Sequence, residues 1–160
     1  MADTFGSVTV HPQPIVVNIS PMAFLSWSGQ YLAAARAAPP GQGFSPVPYF
    51  LHGLALELAL KAFLLAKGVP RRALRSRRLG HDLRALLGKC EQQGMGQHLQ
   101  ITDSHRTHVS LLNDYYCPRD LEYVNLAKAL KGFSGLPDLA VVGAFLDALL
   151  KSIKALCDAA

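Results

Sequence analysis

The stretch Tyr49 to Lys67 constrains this chain most, because it is apolar almost all round and is interrupted near its middle by Glu57 and Lys61. A helix that is hydrophobic around its whole circumference must be surrounded by other elements, so this segment is predicted to be the central helix of a bundle. Glu57 precedes Lys61 by four residues, which puts both on one helical face in the better order for an ion pair. Ionised groups in apolar surroundings persist only when paired and hydrogen-bonded. Their further partners are expected from the Gly80-His81-Asp82-Leu83 corner that follows an arginine cluster. The segment is long enough to suggest a membrane span, yet a Lys or an acidic residue at its centre costs about 2.5–3.5 kcal/mol of insertion free energy each. A buried core helix, with no membrane partner, is the reading.

Punctuation residues divide the rest into helices. Ser20-Pro21 is a helix start, with an N-cap serine and proline at the first helical position, and the first helix is predicted over Met22 to Ala38. Phe24, Trp27 and Tyr31 make a stripe on it, expected in the core. Pro39-Pro40-Gly41 ends it, and residues 39–48 read as a linker. The central helix closes at Gly68, with Pro70 beyond. Arg71 to Arg78 is expected as a loop or short helical turn, followed by a helix from His81 to Gln93 that Gly94 and Gly96 terminate. A fourth helix is predicted from Thr102 or Asp103 to Tyr115 or Tyr116, before Pro118. Arg119 to Gly135 is ambiguous, with a short helix over Leu121 to Ala129 as one reading. The last helix opens at Pro137-Asp138 and runs to Asp158, with Leu139, Val142, Leu146, Leu149, Ile153 and Leu156 in a heptad-like stripe for other helices or a second subunit. Residues 1–20, with Pro12 and Pro14, read as a short extended arm or hairpin. The expected fold is therefore all-α: an up-and-down bundle of four to five helices over residues 21–160, preceded by that arm.

With 160 residues, half of them apolar, the chain supports one domain with a real core. Cys90, Cys117 and Cys157 have no CxxC spacing and leave one thiol unpaired in any disulfide scheme, so reduced cysteines and a cytoplasmic location are expected. No signal peptide is evident. Charge is concentrated: Lys67, Arg71, Arg72, Arg75, Arg77, Arg78 and Arg84 stand against Asp82 alone, a local +6 within a formal total of +5, so everything else sums to about −1. A single basic patch points to a local anionic partner or an acidic counter-surface.

Several constellations carry candidate chemistry. Glu57, Lys61, His81 and Asp82 are expected to form a buried network that pins the second predicted helix to the third, or to line a ligand cleft; the two roles are compatible. His81 at a helix start would lie beside free N–H donors suited to an anion. Asn113, Tyr115, Arg119 and Tyr123 are candidates to complete that network, Tyr115 and Tyr116 with the last two forming an aromatic and basic group that packs on the second helix or edges a cleft. Arg71, Arg72, Arg75, Arg77 and Arg78 are either a solvated face or phosphate contacts, since guanidinium forks match phosphate oxygens. No aromatic residue is interleaved among them, which argues against a base-stacking platform there. His105 and His108 supply two potential metal ligands and no third at matching spacing, so no metal is expected. There is no Walker A loop, dinucleotide fingerprint, GxSxG or HExxH, and no cofactor is expected.

The segments HGLALELALKAFLLAKG (52–68) and LGHDLRALL (79–87), with LNDYYCPRDLEY (112–123) in support, resemble the HEPN superfamily, small helical bundles that often dimerise. The resemblance covers Tyr49 to Tyr123 and leaves the first twenty residues unexplained. It implies a nucleotide- or RNA-binding module, a homodimer, and a nucleotidyltransferase-like or antitoxin partner. Many members are metal-independent ribonucleases whose signature is an Arg and a His separated by four to six residues on a late helix. Here Arg106 and His108 have one residue between them and Arg119 has no histidine after it, so the motif is missing where expected. Arg75 and His81 meet the spacing, but in a loop and at a helix start. The expectation is binding without ribonuclease activity. The alternatives are a metal-independent ribonuclease toxin of a toxin–antitoxin or defence system, using Arg75 and His81, and a pure protein-interaction module.

Overall fold

The computed structural model describes residues 19–39, 44–76, 79–122 and 132–160, and among these it is all-helical. Five helices have ten residues or more: α1 (Pro21–Ala37), α2 (Pro46–Ala66), α4 (Leu83–Gln92), α5 (Asp103–Tyr116) and α6 (Leu139–Asp158). The one-turn α3 (Arg71–Leu74) lies between α2 and α4. The all-α bundle expected from the sequence is what forms. The extended arm lies outside the described residues up to position 18, as does most of the ambiguous Leu121 to Ala129 stretch.

α2 is the central helix, packed by α1, α4, α5 and α6. Ala55, Leu56, Ala59, Leu60, Ala62, Phe63 and Leu64 have no exposed surface. It is long and apolar enough to cross a membrane by length and composition, but two-thirds of that stretch is covered by the other helices. The helix starts three residues before the sequence reading placed it, because Pro46 and Pro48 fall in the first turn, where a missing N–H leaves no intrahelical bond unmade. Its end is as expected. Gly68 takes a φ of 79°, its N–H bonds the Leu65 carbonyl, and Val69 N–H reaches back to Leu64, the paired bonds of a Schellman turn.

α1 buries Leu25, Ser28, Leu32 and Ala35, and Ser28 Oγ donates to the Ala55 carbonyl at 2.6 Å, which satisfies the hydroxyl inside the α1–α2 contact. The core face is therefore not the expected aromatic stripe: Tyr31 is exposed, Phe24 and Trp27 are half-buried, and their rings meet at 5.6 Å along the flank. On α6, Val142, Leu146, Leu149 and Ile153 are buried against the molecule's own helices. Most of the heptad-like stripe is thus consumed within one bundle, which removes the surplus of apolar surface as a ground for a homodimer.

Two helix starts shift inward. Asp82 Oδ1 accepts from Ala85 N at 3.0 Å and Asp138 Oδ1 from Ala140 N at 2.8 Å, so both aspartates are N-caps and the helices begin one residue later. His81 is consequently not helical.

Candidate functional site

Glu57 is the hub of a polar network beside α2. Its side chain is 5% exposed, and Oε1 accepts from Lys61 Nζ at 2.5 Å. Oε2 accepts from Tyr116 Oη at 2.7 Å and from His81 Nδ1 at 3.0 Å. Lys61, itself 10% exposed, donates a second bond to the Gly80 carbonyl at 2.7 Å. Residues from α2, α5 and the turn before α4 thus converge on one carboxylate, each charge compensated as burial demands. The expected pairing of Glu57 with Lys61 and the His81 corner is present, and Gly80 contributes its backbone rather than a side chain.

The geometry sets the tautomer of His81. A carboxylate can only accept, so Nδ1 carries the proton, and Nε2 turns its lone pair outward. Arg119 Nη2 donates toward that nitrogen from 3.4 Å. The imidazole is half exposed, so a buried acid orients a ring whose second nitrogen meets the Arg119 guanidinium. Burial, followed by the charge of Glu57 and their hydrogen bond, pushes the Tyr116 phenol well above its ordinary value of 10.0. Tyr116 is therefore a permanent donor that holds Glu57 in place, not an acid.

Arg119 reaches His81 by a strained route. Its N–H bonds the Tyr116 carbonyl and Asp120 N–H bonds that of Tyr115, a Schellman turn closing α5 with Arg119 at the left-handed position, φ 64°. Among the described residues it is the one non-glycine with positive φ. Glycine fills the equivalent place after α2.

A cleft of about 530 Å³ opens over this network, lined by Lys61, Arg75, Ser76, Gly80, His81 and Cys117 among others. Arg75 is exposed, and Asp82 faces the cleft with its carboxylate engaged in capping α4. Burial, with Asp82 nearby, raises the Cys117 thiol above its usual range, which keeps it protonated and a poor nucleophile. Among the lining side chains Lys61 and Arg75 are cationic against Asp82, and with Lys61 already paired to Glu57 the exposed Arg75 is the group left for an anion.

The sequence-derived candidates divide clearly. Glu57, Lys61, His81 and Arg119 come together, and Arg75 joins them across the cleft. Asn113 is buried on the far side of the corner, where Oδ1 accepts from Leu83 N at 2.7 Å and Nδ2 has no partner among the described residues. Asn113 and Asp82 thus accept from the Leu83 and Ala85 N–H groups, two of the donors expected to be free at that helix start. Tyr115 points away, its hydroxyl bonding the Ser134 carbonyl. Arg71 and Arg72 sit exposed on α3, while Arg77, Arg78 and Tyr123 lie outside the described residues. His105 is used locally: Thr102 N donates to its Nδ1 and its ring stacks on Phe145 at 4.6 Å. The sequence reading omitted Tyr116 from the network. The available signal was the Val109, Leu112, Asn113, Tyr116 face of α5, whose spacing marks Tyr116 as inward and Tyr115 as not. Cys117 was also missed as a cleft residue.

The chain matches no protein-family model, no curated protein and no solved structure.

Proposed function

We propose that this chain is a HEPN-like helical module that binds the phosphate of a nucleotide or of RNA in the cleft over Glu57, without cleaving it. The observation that carries this reading is the ring of cationic and N–H donors around a fixed histidine. Lys61 is held by Glu57 and Gly80, Arg75 faces the cleft, and Arg119 meets the cleft histidine at Nε2. Guanidinium and ammonium groups around a concave surface are what phosphate recognition uses.

Glu57 acting on His81 Nδ1 favours a second reading. An imidazole so oriented has the arrangement of a general base, and once Arg119 turns from Nε2 to a phosphate that nitrogen would take the proton of a ribose hydroxyl in a metal-independent ribonuclease. Cleavage also needs an acid to protonate the departing oxygen. Among the described cleft side chains the Asp82 carboxylate is engaged as a cap, burial raises the Cys117 thiol so that it gives up a proton poorly, and the Lys61 ammonium is tied to Glu57 and Gly80. Binding without turnover is therefore preferred.

A labelled single-stranded RNA separates the classes. The expected result is RNA bound and intact, with about three phosphate contacts giving a log–log salt slope of roughly −2. RNA cleaved without metal, with cleavage lost in His81→Ala, would replace binding by the ribonuclease reading. RNA ignored at low salt, together with free nucleotides, would leave a pure protein-interaction module.

A further inference from the structure

The arginine run contains no aromatic residue, yet the fold brings one to it from far along the chain. A second cleft of about 260 Å³ is lined by Ile19, Phe24 of α1, Leu65 of α2 and Leu74 of α3, together with Arg71, Arg75 and Lys61. Lys61, Leu74 and Arg75 line this cleft and the phosphate cleft alike, so the two share a wall. The second cleft adds an aromatic ring and the aliphatic side chains of Ile19 and Leu65 to the residues the two have in common. Lys61 stands between them with an ammonium of three donors, two of which are used by Glu57 and Gly80. Phe24 is half-buried and lies off the core face of α1, which leaves ring surface for a planar ligand.

We infer that the two clefts form one bipartite site for a nucleoside phosphate, with the nucleobase against Phe24, Leu65 and Leu74 and the phosphate held by Arg75, Arg119 and the remaining donor of Lys61. This rests on the phosphate-binding reading above and adds a nucleobase subsite to it. Together the clefts fall in the size range of about 300–1,000 Å³ usual for small-molecule sites. The base subsite reads shape and a π-face rather than hydrogen-bond pattern, so it accepts different bases. The same unit is presented by a free nucleotide or by one residue of a single-stranded RNA.

Trp27 reports on the site, because its ring lies 5.6 Å from that of Phe24 and it is the single tryptophan of the chain. The full chain is titrated with AMP, ribose 5-phosphate, inorganic phosphate and a ten-nucleotide RNA, followed by Trp27 fluorescence and by calorimetry. AMP is expected to bind about tenfold or more tighter than ribose 5-phosphate, the usual value of one base on an aromatic face. Phe24→Leu, which keeps apolar volume and removes the π-face, should erase most of that preference, and Arg75→Ala should weaken both ligands. Comparable RNA binding that also falls in Phe24→Leu would assign the unit to a nucleic-acid strand, whereas AMP binding without it would assign it to the free nucleotide. Equal affinity for AMP and ribose 5-phosphate, or AMP binding indifferent to Phe24→Leu, overturns the base subsite and leaves phosphate binding standing. RNA binding with no AMP binding and no Phe24 dependence does the same. If none of the four ligands binds, both readings fall together.

Discussion

The ring of Tyr116 occupies the space that a side chain at Gly53 would need: a Cβ built on Gly53 would come within 2.4 Å of Tyr116 Cδ2. A glycine in the middle of the core helix is what allows the phenol to lie against α2 and reach Glu57.

Gly53→Ala therefore sets two opposing effects against each other. Alanine favours the helix by about 1 kcal/mol. The overlap with a buried ring costs about 1–3 kcal/mol, and displacing the Tyr116 hydroxyl from Glu57 costs about 1–3 kcal/mol more. A net loss of about 1–5 kcal/mol is expected in urea unfolding. Gly29, on α1 with nothing near its Cβ position, is the control, and Gly29→Ala should stabilise.

Glu57 has three hydrogen-bond partners, so Glu57→Ala should destabilise by about 3–5 kcal/mol through the uncompensated Lys61 ammonium. The double variant Glu57→Ala, Lys61→Met removes that buried charge. It should be more stable than the single variant, as judged by urea midpoints. A double variant that is weaker still would mean the ammonium finds other compensation.

Stability should decline in alkali. The folded-state proton of Tyr116 is held above its ordinary pKa of 10.0, and burial pushes the Cys157 thiol from 9.0 up to about 11. Between the unfolded and folded values the native state binds more protons. The stabilisation is thus complete below about pH 9 and falls above it, by up to about 1.4 kcal/mol per pH unit for each group. Denaturant midpoints from pH 8 to 11 test this, and Tyr116→Phe should flatten the limb above pH 10. On the acid side His52, buried on α2, has its pKa lowered by burial from 6.5, so stability should fall as pH drops below that value.

Arg119→Gly should raise stability and lower ligand affinity at once. Glycine enters the left-handed turn without the steric penalty, so a gain of about 1 kcal/mol is expected in denaturant unfolding. Removing the guanidinium should weaken phosphate binding about tenfold, in line with the loss of one charge-assisted contact. Arg119→Ala keeps the strain and loses the charge, so it should bind as poorly without the gain in stability.

What could be read from the sequence was local or periodic. The caps at Ser20 and Gly68, the apolar circumference of α2 and the four-residue spacing of Glu57 and Lys61 act within one or two turns, and their neighbours in sequence are enough to specify them. The need for further polar partners also followed, because a buried charge pair cannot stand alone. Which groups answered that need was decided by packing between distant segments. Tyr116 reaches Glu57 because Gly53 leaves room, Asn113 reaches across from α5 to occupy the start of α4, and Phe24 arrives beside Arg71 and Arg75 because α1 lies along α2. A period along one helix names the face that turns inward; only the docking of that face on another helix sets which side chains meet there, since contact requires both surfaces to be in place.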